Sequence, residues 1–149
     1  MLIVVDVWNR PCVNLETMAD SQKKLLLVDD DPTTLALLSA VFLADSRIEV
    51  HTADTGVGAM ELAAEIGPHL VLLDITLPDR EGYAVCRFIK YHPNCGRTKV
   101  VFLSGLAEQA NWNTWEKVGA DGFLSKPFQV AEINEYVLNI LNLTAEKAA

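Results

Sequence analysis

The chain has 149 residues, half of them hydrophobic and 21% charged, with a formal charge of −8. This suits one globular domain with a full core, and no apolar run approaches the roughly 18 to 20 residues needed to cross a bilayer. Net charge draws neither nucleic acid nor an anionic membrane, so no direct partner of either kind is expected; acidic clusters suit a divalent cation or a basic partner.

The opening "MLIVVDVWNR" carries an apolar patch, but Asp6 interrupts it and no basic segment precedes it, so it makes a poor signal peptide. Residues 1–21 are expected to form a poorly ordered N-terminal extension, followed by a domain over 22–144 and a short tail over 145–149. Cys12, Cys86 and Cys95 are an odd set without CxxC spacing. They speak against a disulfide framework or zinc site and for a reducing, cytoplasmic setting. His51, His69 and His92 are scattered singly, so ordinary polar roles are expected for them.

Five short apolar runs then recur: "LLLV" (25–28), "IEVHTA" (48–53), "LVLLD" (70–74), "KVVFLS" (99–104) and "GFLS" (122–125). Their continuous apolar character predicts strands covered on both faces. Between them, spacing predicts helices. The first, 33–44, puts Leu35, Leu38, Val41 and Phe42 on one stripe, with Asp31 as its cap and Pro32 in its first turn. The second, 56–66, offers Val57, Met60, Glu61 and Ala64. The third, 82–91, carries Val85, Phe88 and Ile89, and the fourth, about 108–118, carries Trp112, Trp115 and Val118. The last, 129–142, is expected to bury Val130, Ile133, Val137, Leu138 and Leu141. Gly67-Pro68, "HPNCG" and Gly119 stop the second, third and fourth helices. Strand and helix in alternation predict an α/β sandwich around a parallel sheet.

In such sheets ligands bind beyond the carboxyl ends of the strands. Those ends read Asp29-Asp30-Asp31, Ala53-Asp54, Asp74, Ser104 and Ser125-Lys126-Pro127. Carboxylates gathered at close range need a hard cation, and oxygen ligands without Cys or His favour magnesium, with manganese as a relative. A lysine and a hydroxyl supply the charge and hydrogen bond that a phosphoryl group needs. An aspartate among them can be the nucleophile that forms an aspartyl phosphate.

Four stretches together resemble the receiver domain of two-component response regulators. "LLLVDDDP" is similar to its first-strand acidic pair, and "LVLLDITLPDREGY" to its phosphoacceptor strand and loop. "VVFLSGLAE" resembles the strand with the switch hydroxyl, and "GADGFLSKPF" the strand with the Lys-Pro pair. The match covers about residues 23–143. It implies a flavodoxin-like, doubly wound (βα)5 fold with strand order 2-1-3-4-5. It also implies that Asp74 accepts the phosphoryl group and that Asp30 ligates magnesium, with Asp29 beside it and the backbone carbonyl of Thr76 added. By the same resemblance Ser104 hydrogen-bonds the phosphoryl group, Lys126 pairs with it or with Asp74, and Phe123 is the aromatic that follows phosphorylation. Lys126-Pro127 corresponds to the family's cis bond. Ser104 stands where Thr is commoner and Phe123 where Tyr is often seen, which bears on the switch and leaves the acceptor chemistry intact.

The implied partners are a histidine kinase or phosphotransfer protein upstream, and an effector or second receiver at the face formed by the fourth helix, fifth strand and fifth helix. Trp112 is either an anchor on that face or a partly covered aromatic. Asp31 needs only its helix-capping role. Two other readings use the same residues. A metal-dependent phosphohydrolase would need an acid two positions after Asp74, where Thr76 stands, and a binding scaffold that is never phosphorylated would not need the full set. After Leu143 only "TAEKAA" remains, so the sequence is expected to act through partners or to be a receiver cut from something longer.

Overall fold

The computed structural model describes residues 22–105 and 116–143. Five strands, β1 (Lys23–Val28), β2 (Ile48–Ala53), β3 (Leu70–Asp74), β4 (Lys99–Ser104) and β5 (Gly122–Ser125), form one sheet in the order β2-β1-β3-β4-β5. Every pairing is parallel. The order agrees with the doubly wound fold expected above. Four helices are described: α1 (Pro32–Leu43), α2 (Gly56–Ile66), α3 (Gly82–Tyr91) and α4 (Val130–Ile140), with a single 3-10 turn at Pro93–Cys95.

Alternation along the central strands splits the core in two. Leu26, Val28, Val71, Leu73, Val100 and Phe102 face one way, onto Ala59 and Ala63 of α2 and Val85, Cys86 and Ile89 of α3. Leu25, Leu27, Leu70, Leu72, Val101 and Leu103 face the other, onto Leu38 and Phe42 of α1 and Ile133, Val137 and Leu138 of α4. Burial on both faces fits β1, β3 and β4, as parallel strands under two helical layers require. It does not fit β2 and β5, which are edge strands and only partly covered.

Helix boundaries follow their caps. Asp31 accepts the N–H of Thr33 at 3.0 Å and the hydroxyl of Thr34 at 2.7 Å, with Pro32 opening α1. Gly67 ends α2 in the left-handed region at φ 57°. Gly119, at φ 88°, stops the fourth predicted helix, of which only the last residues are described.

Two predicted stripes are corrected. On α2 the buried face is Gly56, Ala59 and Ala63, while Glu61 and Val57 are exposed. Small residues let this helix lie close to the sheet, and a search for large side chains overlooks them. On α4, Val130 is 40% exposed at the first turn, and the buried stripe begins at Ile133.

Candidate functional site

The carboxyl ends of β1, β3, β4 and β5 bring the site together. Asp29 follows β1 directly, its N–H donating to Ala53 O at 3.2 Å as though the strand continued. Its side chain is 1% exposed. One carboxylate oxygen accepts the N–H of Asp31 at 2.9 Å, and the other accepts Lys126 Nζ at 2.7 Å. Asp30, next in sequence, is exposed.

Asp74 ends β3 and is buried. Its Oδ1 accepts the N–H of Thr76 at 3.2 Å, and its Oδ2 lies 3.5 Å from Lys126 Nζ. The Asp74 carboxyl is raised to about 6: burial lifts it most, Lys126 pulls against that, and the neighbouring Asp29 adds to it. Burial also acts to lower the Lys126 ammonium, but the bond to Asp29 and the charge of Asp74 outweigh it, and the group stands above its ordinary value.

Ser104 ends β4 with 2% exposure, and among the described residues its buried Oγ has no hydrogen-bond partner. A buried hydroxyl without a partner costs free energy, so one at the carboxyl end of a central strand is worth explaining. Its carbonyl accepts the N–H of Lys126 at 2.7 Å, which ties the hydroxyl strand to the lysine strand. Lys126-Pro127 is cis, as expected.

One ligand atom each from Asp29, Asp30 and Asp74 falls within a 4.8 Å span. Three hard oxygen donors, with one carboxylate open to solvent, fit a magnesium-type ion that keeps several waters. The donor set contains no nitrogen or sulfur, which speaks against zinc or copper.

The remaining predicted residues lie as follows. Thr76 is exposed and pairs with Glu81 in an isolated antiparallel bridge; its recorded contact with Asp74 is through its N–H. Phe123 is half-buried on β5, opposite Phe102 in register, and packs on the α2–α3 side of the core. Trp112 lies outside the described residues. The histidines take polar roles: His69 and His92 accept backbone N–H groups of Lys24 and Asn94 at 2.9 and 3.1 Å, and His51 pairs with Glu49. Cys86 and Cys95 are free and buried, and burial pushes the Cys86 thiol up to about 12.

Asp79, in the loop between β3 and α3, is a residue that sequence reasoning did not single out. Its carboxylate accepts the N–H groups of Gly56 and Val57 at the start of α2, at 2.7 and 2.9 Å. Nothing in "LPDREG" marks its partner, which lies more than twenty residues earlier.

The family model for the response regulator receiver domain matches residues 25–138. The chain belongs to this family. The receiver is 29% identical over 116 residues to the transcriptional regulatory protein GltR of Pseudomonas aeruginosa, covering 78% of this chain and 48% of that protein. It is 32% identical over 124 residues to the regulatory protein AtoC of Escherichia coli, covering 83% of this chain and 26% of AtoC. The receiver thus spans about half or less of these curated relatives. Among solved structures it resembles the receiver domain of the sensor histidine kinase PA1611 of P. aeruginosa, which has a magnesium ion coordinated in its active-site cleft. That likeness has a TM-score of 0.72 at 26% identity over 81% of this chain and 98% of the other. The receiver is a signalling module of the two-component type, and no helix among its described residues is long and apolar enough to cross a membrane.

Proposed function

We propose that the receiver accepts a phosphoryl group on Asp74 and uses it to switch a partner-binding face. The observation that carries this reading is the approach of Lys126 Nζ to both Asp29 and Asp74, at 2.7 and 3.5 Å, together with a buried Ser104 hydroxyl that has no partner among the described residues. Asp74 Oδ2 attacks the phosphorus of a phosphohistidine on a kinase or phosphotransfer protein, or of a small phosphodonor. The bond from phosphorus to its leaving group breaks, and the leaving group departs with the electron pair.

Asp29, Asp30 and Asp74, with the Thr76 carbonyl, would hold magnesium, or manganese in its place. When bound, the ion supplies charge neutralisation for the transferring phosphoryl oxygens. Lys126 contributes a second positive charge from the end of β5, and the Thr76 N–H keeps one Asp74 oxygen oriented so that the other is free to react. Once the acceptor is modified, Ser104 Oγ gains the acceptor it lacks, and Lys126 exchanges a carboxylate for a more highly charged group. Both lie at the ends of β4 and β5, so movement there would reach Phe123 on β5 and the face that β5 would form with α4 and the helix predicted over about 108–118. Trp112 would serve on that face as an anchor for an effector or a second receiver. The whole acts as a signalling phosphoacceptor in the cytoplasm, with catalysis limited to its own phosphorylation and slow dephosphorylation.

Intact-mass measurement after acetyl phosphate treatment, with and without magnesium, tests the reading. A magnesium-dependent phosphoryl adduct that is absent from Asp74→Asn supports it, and an adduct that persists in that variant assigns the acceptor elsewhere.

A further inference from the structure

Asp79 lies outside the acidic cluster, yet its carboxylate reaches a different element. Gly56, Val57 and Gly58 form the first turn of α2, whose N–H groups have no partner within the helix. Thr55 Oγ1 takes the N–H of Gly58 at 3.0 Å. The two N–H groups before it are taken by the two oxygens of Asp79, at 2.7 and 2.9 Å. The partial positive charge of a helix start favours a carboxylate there, and the Val57 and Gly56 N–H groups hold the Asp79 carboxyl below its ordinary value.

The residue after it reinforces the docking. A Cβ placed on Gly56 would meet Cβ and Cγ of Arg80 at 2.6 and 2.8 Å, so the loop lies directly on the helix start. At its far end the same loop is closed by the Gly82 N–H donating to Ile75 O at 2.6 Å and by the Thr76–Glu81 bridge. Thr76, whose N–H orients Asp74, is one half of that bridge and stands three residues before Asp79 in the same short loop.

We propose that Asp79 is a positioning residue for Asp74: by tying the β3–α3 loop to the first turn of α2, it keeps the Thr76 N–H on the acceptor carboxylate. The role in phosphoryl transfer rests on the function proposed above; the geometric coupling does not. A helix cap alone would leave the consequences of losing Asp79 at Gly56 and Val57. A loop tether carries them across to Thr76 and to the acids around Asp74.

The test uses the full chain, with Asp79→Ala and Asp79→Asn beside the wild type. Amide hydrogen exchange is followed by NMR, and magnesium affinity by titration with the metal alone. Asp79→Ala is expected to speed exchange at Gly56, at Val57 and also at Thr76. It is expected to weaken magnesium binding by about tenfold, the size seen when a partner outside the ligand set is lost. Asp79→Asn keeps one acceptor oxygen and should fall between the two. Faster exchange confined to Gly56 and Val57, with wild-type magnesium affinity, would overturn the proposal and leave a local cap. If wild-type Asp74 is never labelled but exchange at Thr76 and metal affinity respond as stated, the proposed function fails and the tether stands.

Discussion

Lys126 stands nearer to Asp29 than to Asp74: its Nζ is 2.7 Å from Asp29 Oδ2 and 3.5 Å from Asp74 Oδ2. The ammonium therefore compensates the most buried acid of the site and leaves the other carboxylate only partly neutralised. Asp74 carries the consequence, with its carboxyl raised by burial to about 6.

The sign of the resulting pH effect is fixed. The folded state binds the Asp74 proton more tightly than the unfolded chain, whose carboxyl titrates near the ordinary aspartate value of 3.8. The stabilisation is complete below 3.8 and is lost as pH rises through about 6. Asp74→Asn cannot ionise, so in chelator at neutral pH it should be more stable than wild type by about 1–3 kcal/mol. Denaturant titrations across pH check this, and the advantage should disappear in acid below the unfolded value.

Removing the ammonium should have the opposite effect. Lys126→Met leaves Asp29, 1% exposed, with no counter-charge. Breaking a fully buried pair costs roughly 3–5 kcal/mol, and because the Lys126 side chain is partly exposed a loss of about 2 kcal/mol is expected. Adding Asp29→Asn to that variant should restore most of the loss, which a double-mutant cycle in chelator would measure. Magnesium should stabilise Lys126→Met more than wild type, because the ion takes over the missing charge.

Gly82 tests how tightly β3 is packed against α3. A Cβ there would lie 2.5 Å from Asp74 O and 2.7 Å from Ile75 Cα, both backbone atoms with little room to move. Gly82→Ala should destabilise by about 2 kcal/mol, the middle of the range for overpacking, and should slow labelling of Asp74. Thermal melts and the time course of the phosphoryl adduct read the two effects separately.

A second glycine predicts a pairwise effect. A Cβ on Gly122 of β5 would overlap the hydroxyl of Tyr136 on α4. Gly122→Ala should cost about 1–2 kcal/mol, and Tyr136→Phe in the same chain should recover a large part of it by removing the clashing atom. Additive losses in the double variant would show that the two residues do not share this space.

The sequence displayed the central features because their physics is local. Runs such as "LVLLD" read as buried strands without alternation, Asp31-Pro32 declares a helix start, and Gly67 declares a stop. The order of the strand ends then made the meeting of Asp29, Asp30, Asp74 and Lys126 foreseeable. Longer-range features were not displayed. The edge position of β2 and β5 depends on sheet order, and a stripe of Gly56, Ala59 and Ala63 carries almost no hydrophobic signal. The bond from Asp79 to α2 joins a loop to a helix start that periodicity cannot relate to it. The pairing of Lys126 with Asp29 in preference to Asp74 is a matter of tenths of an ångström, beyond any reading of spacing.

The most direct test of the account is to locate the modified residue. The full chain is treated with a phosphodonor and magnesium, reduced with borohydride to fix any acyl phosphate, digested, and mapped by tandem mass spectrometry. The account predicts that the reduced site is Asp74, that it disappears when magnesium is withheld, and that Asp29 and Asp30 stay unmodified. Modification at another carboxylate, or equal modification without magnesium, would contradict it.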